Sequence, residues 1–298
     1  IEGEDPRALC TSPGGDRVYV TIFESGNRST IIAGGSGDDV INFPPNAVSD
    51  ARSPYGGINP PPNNGNAFQP RQKRGNPGAP PVGLIVKKDL QGTWRDDNNA
   101  DWSDMVGGPL ASLSGRIPGW DLIDNDLAAI DTRSGAVSYA TGLMNICMAT
   151  GVNPVSGELL TVGTDALNEV RFEPNLNGIF VRVMYGITNP TTLENLTGDL
   201  NPHLDYESHT TTAMNREQSI GDPRGITWNA EGSLAYVTGM GSNNVVVINA
   251  AGQRSAGASV IEVGEGPTGI VADNQRNKLY VLNRFESTLS IIDMESLS

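Results

Sequence analysis

The stretch DPRGITWNAEGSLAYVTGMGSNNVVVIN, residues 222–249, and the stretch GPTGIVADNQRNKLYVLNRFESTLSIID, residues 266–293, decide the fold of this chain. Their landmarks lie 44 residues apart, beginning with Pro223 and Pro267. A strand-rich repeat of about 40–45 residues is the signature of a β-propeller blade. The sequence therefore predicts an all-β fold, a β-propeller with four-stranded blades and about six to seven blades in the complete ring.

Each copy of the repeat reads as three strands joined by turns. Pro223 opens the first strand, where a residue without an N–H donor is tolerated. The second strand alternates β-branched and aromatic residues around Tyr236, and the third is an apolar run that ends at Asn249. Clusters of Gly, Asn and Ser at 229–232 and 241–244 supply the turns between them.

A third copy opens the chain. Pro6 lies 13 residues before Tyr19, the same spacing that separates Pro223 from Tyr236. A small residue, Ala8, follows two positions after the proline, and we expect small side chains there because the innermost strands of a propeller crowd together. The first copy thus keeps the internal spacing of the repeat.

We expect a single propeller domain, or most of one, over residues 1–298. The blade material is predicted at 5–36, 82–131, 140–186, 220–262 and 264–298. Three inserted loops are predicted at 37–81, 91–120 and 187–218, where prolines, tryptophans or histidines interrupt the strand pattern. Long loops on a rigid scaffold are where binding function concentrates.

The charge of the chain restricts its partners. The formal net charge is −14, and only four of the 20 basic residues are lysine. Such a chain repels phosphate backbones and anionic lipids, so we expect neither nucleic acid as a partner nor insertion into a membrane. No apolar run approaches the roughly 18 residues that a membrane-spanning helix needs. We expect an exported protein, located extracellularly, at the cell surface or in the periplasm.

The strands at Val18–Thr21, Ala235–Thr238 and Leu279–Asn283 resemble the YVTN-type β-propeller repeat. Relatives of this type include archaeal surface-layer propellers and bacterial periplasmic proteins, and some long bacterial members carry a c-type cytochrome domain after the propeller. The segment 92–103 is similar to an insertion of those long members. The resemblance implies the propeller fold, and it leaves function open because one fold hosts many functions.

The two cysteines bear on haem and on disulfides. Covalent haem attachment needs Cys-x-x-Cys-His, and neither Cys10 nor Cys147 lies in such a motif. We therefore expect no covalent cofactor, and haem only if a further domain exists outside the segment. Both cysteines align with innermost strands of different blades, which we take to be non-adjacent, so buried free thiols are favoured over a disulfide.

One acidic loop is the candidate metal site. Asp97, Asn99 and Asp101 alternate as in the first half of a calcium loop, although Trp102 stands where such a loop needs glycine. Calcium with oxygen ligands is the one cofactor this pattern suggests, and a solvated acidic loop is the alternative. The two histidines, His203 and His209, are expected to be ordinary surface residues.

The most consistent function is a non-catalytic binding or scaffold propeller of an exported or surface protein. Its partner would be another protein or another domain of the same polypeptide. The first alternative is the propeller part of a periplasmic redox protein that serves an attached c-type cytochrome domain. A lactonase- or lyase-type propeller enzyme is less supported, because no acids, bases and metal ligands converge in the sequence.

Overall fold

The computed structural model describes residues 1–25, 28–32, 84–95, 101–109, 111, 123–166, 181–206, 211–254 and 259–298. In chain order the strands are β1 (Glu4–Thr11), β2 (Arg17–Glu24), β3 (Ser29–Ile32), β4 (Leu84–Lys88), β5 (Trp94–Arg95), β6 (Leu127–Asp131), β7 (Val137–Ala140), β8 (Ile146–Val152), β9 (Leu159–Ala166), β10 (Val181–Thr188), β11 (Asn195–Asp199), β12 (Pro223–Trp228), β13 (Leu234–Gly239), β14 (Asn244–Asn249), β15 (Val260–Glu262), β16 (Pro267–Asp273), β17 (Lys278–Asn283) and β18 (Thr288–Asp293). Two short helices are α1 (Ser103–Val106) and α2 (Ala213–Glu217). Among the described residues no helix is long and apolar enough to cross a membrane.

Antiparallel pairing assembles most of these strands into four blades. Blade 1 has the order β1-β2-β6-β7 and blade 2 runs from β8 to β11; a single residue pair, Glu24 with Ile146, joins the two into one eight-stranded sheet. Blade 3 runs from β12 to β15. Blade 4 contains β16, β17 and β18. The remaining strands, β3, β4 and β5, form a separate three-stranded sheet, which we call the inserted sheet.

The blades follow one another around an arc. The innermost strand of blade 2, β8, packs against β1 on one side and β12 on the other, and β12 packs in turn against β16. Successive antiparallel sheets that converge on their first strands are the architecture of a β-propeller, so the predicted fold class is confirmed. The number of blades in the complete ring stays a prediction.

The 44-residue repeat is visible in the strand register. Tyr236 pairs with Val247 in blade 3, and Tyr280 pairs with Ile291 in blade 4. The register of the innermost strand shifts directly after its proline in blades 1, 3 and 4. A β-bulge there bends the strand and increases its twist. Equal spacing along the sequence therefore corresponds to equal geometry in the blades.

Small residues beside this bulge allow neighbouring blades to approach. A Cβ atom on Gly225 would lie 2.6 Å from the carbonyl oxygen of Thr268 in the next blade. Such a distance is far below van der Waals contact, so a side chain cannot be placed there without moving a blade. This agrees with the prediction that small residues mark the innermost strands.

Apolar clusters between blades form the core. Tyr19 and Leu127 of blade 1 pack against Leu159 and Cys147 of blade 2. A second cluster lies between blades 2 and 3, and its buried members include Val162, Tyr185, Trp228, Val237 and Ile248. A third lies between blades 3 and 4, and its buried members include Tyr236, Val247, Leu279, Val281 and Ile292. Each fully buried aliphatic or aromatic side chain contributes about 1.5–3 kcal/mol to folding.

Two segments predicted as separate blade material, 5–36 and 82–131, both contribute strands to blade 1. Strand β2 pairs with β6 over Arg17–Asp131 to Thr21–Leu127, so the chain leaves blade 1 after its second strand and returns more than a hundred residues later for its third. The predicted loop 37–81 lies outside the described residues. The predicted loop 91–120 contains β5 and α1, and the predicted loop 187–218 contains the blade strand β11 and helix α2. Polar residues of β11, the outermost strand of its blade, hid its strand character in the sequence.

A substitution pair tests how closely the turns of neighbouring blades are fitted. Gly232 and Gly15 end equivalent turns with positive φ, 64° and 69°. A Cβ on Gly232 would lie 2.2 Å from Oδ1 of Asn153, whereas one on Gly15 would meet nothing within 4 Å. Asn153 is buried and donates from Nδ2 to the carbonyl oxygen of Gly232 at 2.8 Å.

We expect Gly15→Ala to lower the free energy of unfolding by about 1–2 kcal/mol, the cost of a left-handed alanine. Gly232→Ala carries the same cost and also disrupts the Asn153 hydrogen bond, which adds about 1–3 kcal/mol. Urea unfolding of both variants measures the difference. Equal losses in the two variants would show that the contact between blades 2 and 3 at this turn does not constrain the fold.

Candidate functional site

Two ion pairs attach the inserted sheet to the propeller. Arg28 Nε lies 2.6 Å from Asp124 Oδ2 on the blade 1 side. Lys87 Nζ lies 2.6 Å from Asp165 Oδ2, at the end of β9 in blade 2. Each pair is partly shielded from solvent, so it positions its side chains more firmly than an exposed pair would. The inserted sheet therefore bridges two blades.

The tip of the inserted sheet is shaped by Asp89. Its Oδ1 accepts the backbone N–H groups of Gln91 and Thr93 at 2.9 and 2.8 Å, and its Oδ2 accepts Arg95 Nε at 2.7 Å. The bond from Arg95 lowers the pKa of the Asp89 carboxyl below its usual value. Gly92 completes the turn with a φ of 87°, which glycine adopts without strain. The turn between β4 and β5 is thus held in one shape.

The opposite wall is the turn between β10 and β11 of blade 2. Asn189 Oδ1 accepts the backbone N–H groups of Thr191 and Thr192 at 2.8 and 3.0 Å, a local turn typical of asparagine. The floor is closed between the blades, where Asn195 Nδ2 donates to the carbonyl oxygen of Thr141 at 2.8 Å. These bonds fix the turn of blade 2 beside the outer edge of blade 1.

Between these walls lies a cleft of about 1210 Å³, which we call the insert cleft. It is lined by three groups of residues, Arg28 with Lys87–Gln91, Tyr139 with Thr141–Gly142, and Thr192–Asn195. The first group belongs to the inserted sheet, the second to the edge of blade 1 and the third to blade 2. A concave surface of this size accommodates a peptide segment or a small ligand.

The lining of the insert cleft carries three cations and two carboxylates, whereas the chain as a whole carries 20 basic and 34 acidic residues. Two of the four lysines of the chain, Lys87 and Lys88, line it together with Arg28. Lys88 is exposed, and its Nζ lies 5.7 Å from the ring centroid of Trp94, within the range of a cation–π contact. Asp89 and Glu194 add negative charge to the same lining. The cleft is thus a charged, polar surface whose cations are positioned by contacts with Asp124, Asp165 and Trp94.

A buried acid and thiol lie between blades 1 and 2. The side chain of Asp126 accepts the backbone N–H of Leu143 at 2.7 Å, and Cys147 Sγ lies 3.7 Å from Asp126 Oδ1. Burial raises the pKa of Asp126 to about 6, although the hydrogen bond from Leu143 opposes this shift. Burial also raises the pKa of the Cys147 thiol well above its usual value. A fully enclosed thiol with a raised pKa is a poor nucleophile. A structural role between the two blades is therefore the better explanation of this cluster than a catalytic one.

The residues of the predicted calcium site are only partly described. Asp97 and Asn99 lie outside the described residues. Asp101 is described, and its Oδ1 accepts the backbone N–H of Ser103 at 2.9 Å. Within the described ranges no group of three or more His, Cys, Asp or Glu side chains is placed to hold a metal ion.

The structure places one of the two histidines and both cysteines. His203 Nε2 forms hydrogen bonds with the carbonyl oxygen of Asn215 at 3.0 Å and with Ser219 Oγ at 3.1 Å, whereas His209 lies outside the described residues. Cys10 and Cys147 are free thiols; Cys147 is buried as predicted, whereas Cys10 is only partly buried, and this partial burial raises the pKa of Cys10 to about 11. The expectation that they lie on non-adjacent blades was wrong, because the long insertion lies within blade 1 and their strands, β1 and β8, are neighbours.

The sequence did not point to the residues of the insert cleft. Its cations come from separate strands, with Arg28 just before β3 and Lys87 and Lys88 at the end of β4. The available signal was the placement of two of only four lysines side by side in an otherwise acidic chain. Spacing could not add Arg28 to that pair, since the sheet that joins them forms only in the folded protein.

Comparison with known proteins finds no family and only distant structural similarity. No protein-family model matches the chain, and no curated protein matches it. Among solved structures, hydrazine synthase of Kuenenia stuttgartiensis is similar over 97% of this chain and 83% of its own, with 13% identity and a TM-score of 0.44. The β-propeller domain of Cps50 (Swd1) from Myceliophteria thermophila is similar over 95% of this chain and 64% of its own, with 9% identity and a TM-score of 0.35.

The buried carboxyl predicts an unusual pH dependence of stability. The folded pKa of Asp126, about 6, lies above its ordinary value of 3.8, so the folded state binds the proton more tightly than the unfolded chain does. This contribution is fully present below the unfolded pKa and is lost as the pH rises through about 6. We expect Asp126 to make the protein more stable at pH 5 than at pH 7.5 by on the order of 1 kcal/mol.

Urea unfolding at these two pH values measures this contribution. Asp126→Asn cannot ionise and should remove this part of the difference. Asp16→Asn serves as the control, because the bond from Ser12 lowers the pKa of this exposed carboxyl and its titration lies in the acid range. A wild-type pH dependence in Asp126→Asn would contradict the assignment.

Proposed function

We propose that this propeller is a non-catalytic binding scaffold of an exported or surface protein, and that the insert cleft is its docking site. The occupant is an acidic segment of a protein partner or of another domain of the same polypeptide. The chain carries the propeller fold, which presents loops and insertions on a rigid ring. The cleft lies where the one inserted sheet of the described residues meets two blades.

The convergence of cations carries this proposal. Arg28, Lys87 and Lys88 line one cleft in a chain whose formal net charge is −14. Two of these cations are oriented by ion pairs with Asp124 and Asp165. Because Asp124 and Asp165 neutralise Arg28 and Lys87, the exposed Lys88 is the cation that an acidic segment would meet in a chain whose overall charge is repulsive, which supports docking at this place.

An apolar contact adjoins the charge. Leu90, at the tip between β4 and β5, lines the insert cleft and is 85% exposed. Exposure of a single leucine is common, but this one projects from a turn that Asp89 holds in shape. A partner segment with a carboxylate beside an apolar side chain would form an ion pair with Lys88 and an apolar contact with Leu90 at the same time.

The other predicted features remain predictions. These are export, calcium binding by Asp97, Asn99 and Asp101, and the redox alternative with an attached cytochrome domain. The lactonase- or lyase-type alternative also stays a prediction, and the described part of the chain shows no group of three or more His, Cys, Asp or Glu side chains that could hold a metal ion for it.

Site-specific cross-linking in the cells that produce the protein tests the docking site. A photoreactive amino acid at Leu90 should give a discrete adduct with one partner protein or domain, whereas the same group at Val155 should not. Val155 is also highly exposed, at 70%, but it lies in the turn between β8 and β9, outside the cleft lining.

Charge reversal separates docking from chance proximity. Lys88→Glu should reduce the Leu90 adduct at least about tenfold, as expected for the loss of a favourable ion pair and the gain of a repulsion. Arg284→Glu changes the net charge equally at an exposed position of blade 4 and should leave the adduct unchanged. Equal adducts from both cross-linker positions, or an adduct insensitive to Lys88→Glu, would contradict the proposal.

A further inference from the structure

The outward face of blade 4 is apolar and exposed. We call it the blade-4 face, and it consists of Val271, Tyr280, Leu282, Leu289 and Ile291. Four of these side chains are between 49% and 59% exposed, and Tyr280 is half-buried. Isolated exposed apolar residues are ordinary, but a contiguous group on one sheet face indicates an interaction surface.

Strand register shows that these residues are contiguous. Val271 pairs with Tyr280, and Tyr280 pairs with Ile291, which makes one row across all three strands. Leu282 pairs with Leu289 in the next row on the same face. Directly paired side chains on one face lie about 5 Å apart, so the two rows form a single surface.

The equivalent face of blade 3 is an interface between blades. Tyr236, Val245 and Val247 lie 44 residues before Tyr280, Leu289 and Ile291, and each is at most 1% exposed. They are covered by Leu279, Val281 and Ile292 of blade 4. The same repeat positions are therefore buried where a next blade is present and exposed where none covers them.

The backbone shows the same difference. A Cβ on Gly225 would lie 2.6 Å from Thr268 O and 3.2 Å from Ile270 Cγ2 of the following blade. The equivalent position in blade 4 is Gly269, where a Cβ would meet only Leu282 of its own blade, at 3.7 Å. Gly269 thus keeps the small residue of a crowded inner strand at a place where no other blade of the described residues comes close.

We propose that the blade-4 face is an interblade interface and that its occupant is one further blade of this same repeat. The occupant is an antiparallel blade that presents an aliphatic face like that of Leu279, Val281 and Ile292. The inference follows from continuity with the packing of blade 3 against blade 4. It does not depend on the insert cleft, which lies between the inserted sheet and blades 1 and 2.

A second copy of the chain fits the blade-4 face less well. Head-to-tail association would require the opposite face of blade 1, which contains Val20, Ile22 and Ala128. These three side chains are at most 5% exposed and the adjoining Val18 and Ile130 are partly buried, so most of this face is already covered. Among the described residues, a second copy therefore has no free face equivalent to the Leu279, Val281 and Ile292 face with which blade 4 covers blade 3.

An extended chain tests the proposal directly. In the extended chain, residues 1–293 are joined to a second copy of residues 250–298. The junction is in register because residue 293 is the repeat equivalent of residue 249. The added sequence supplies the fourth strand of blade 4 and a further blade in register. We expect amide hydrogen exchange of β17 and β18 to slow by on the order of tenfold, and binding of an apolar fluorescent dye to fall, relative to the 298-residue chain.

Matched substitutions identify the face. In the 298-residue chain, Ile291→Lys should leave the melting temperature almost unchanged, whereas Val247→Lys, at the equivalent position of blade 3, should lower it by many degrees. In the extended chain, Ile291→Lys in blade 4 should abolish the added protection of β17 and β18. This second measurement remains decisive if Val247→Lys does not fold.

Two outcomes would overturn the proposal. The first is an added blade that leaves the exchange of β17 and β18 and the dye binding unchanged. The second is a 298-residue chain that forms a stable dimer in sedimentation and becomes monomeric with Ile291→Lys, since the occupant would then be a second copy.

Discussion

Each blade of this protein has two apolar faces, and burying both requires a neighbour on each side. A twisted antiparallel sheet cannot enclose its own faces, so the contacts of Leu279, Val281 and Ile292 with Tyr236 and Val247 carry the stability that a single blade lacks. Close approach of the inner strands is the condition for these contacts. Small residues after the bulge, such as Gly225, satisfy that condition.

The same constraint explains where new features are tolerated. Blade 1 keeps its inner and outer strands together although a long segment separates β2 from β6, because the entropic cost of closing a loop rises only slowly with its length. The insertion leaves the ring at the end of β2 and is attached to blades 1 and 2 by Arg28 and Lys87. A charged cleft that contains three cations is thereby built on an acidic scaffold, outside the interblade core.

Local sequence signals predicted the parts of the fold that depend on local chemistry. The 44-residue offset placed Tyr236 and Tyr280 in equivalent strands, and the register agrees. The outer strand β11 was missed because its solvent-facing residues are polar, and the pairing of β2 with β6 was missed because no periodicity links them. The candidate site was not foreseen for the same reason, since Arg28 and Lys87 lie 59 residues apart.

The amino-acid sequence by itself determined the strands, the turns and the repeat, because backbone preferences and alternation of apolar residues act between near neighbours. Only the tertiary structure decided which strands share blade 1, which cations meet in the insert cleft and which repeat face remains uncovered. These features depend on distant segments that meet when apolar faces are buried, and the equivalent repeat face, apolar in both blades, is buried in blade 3 and exposed in blade 4.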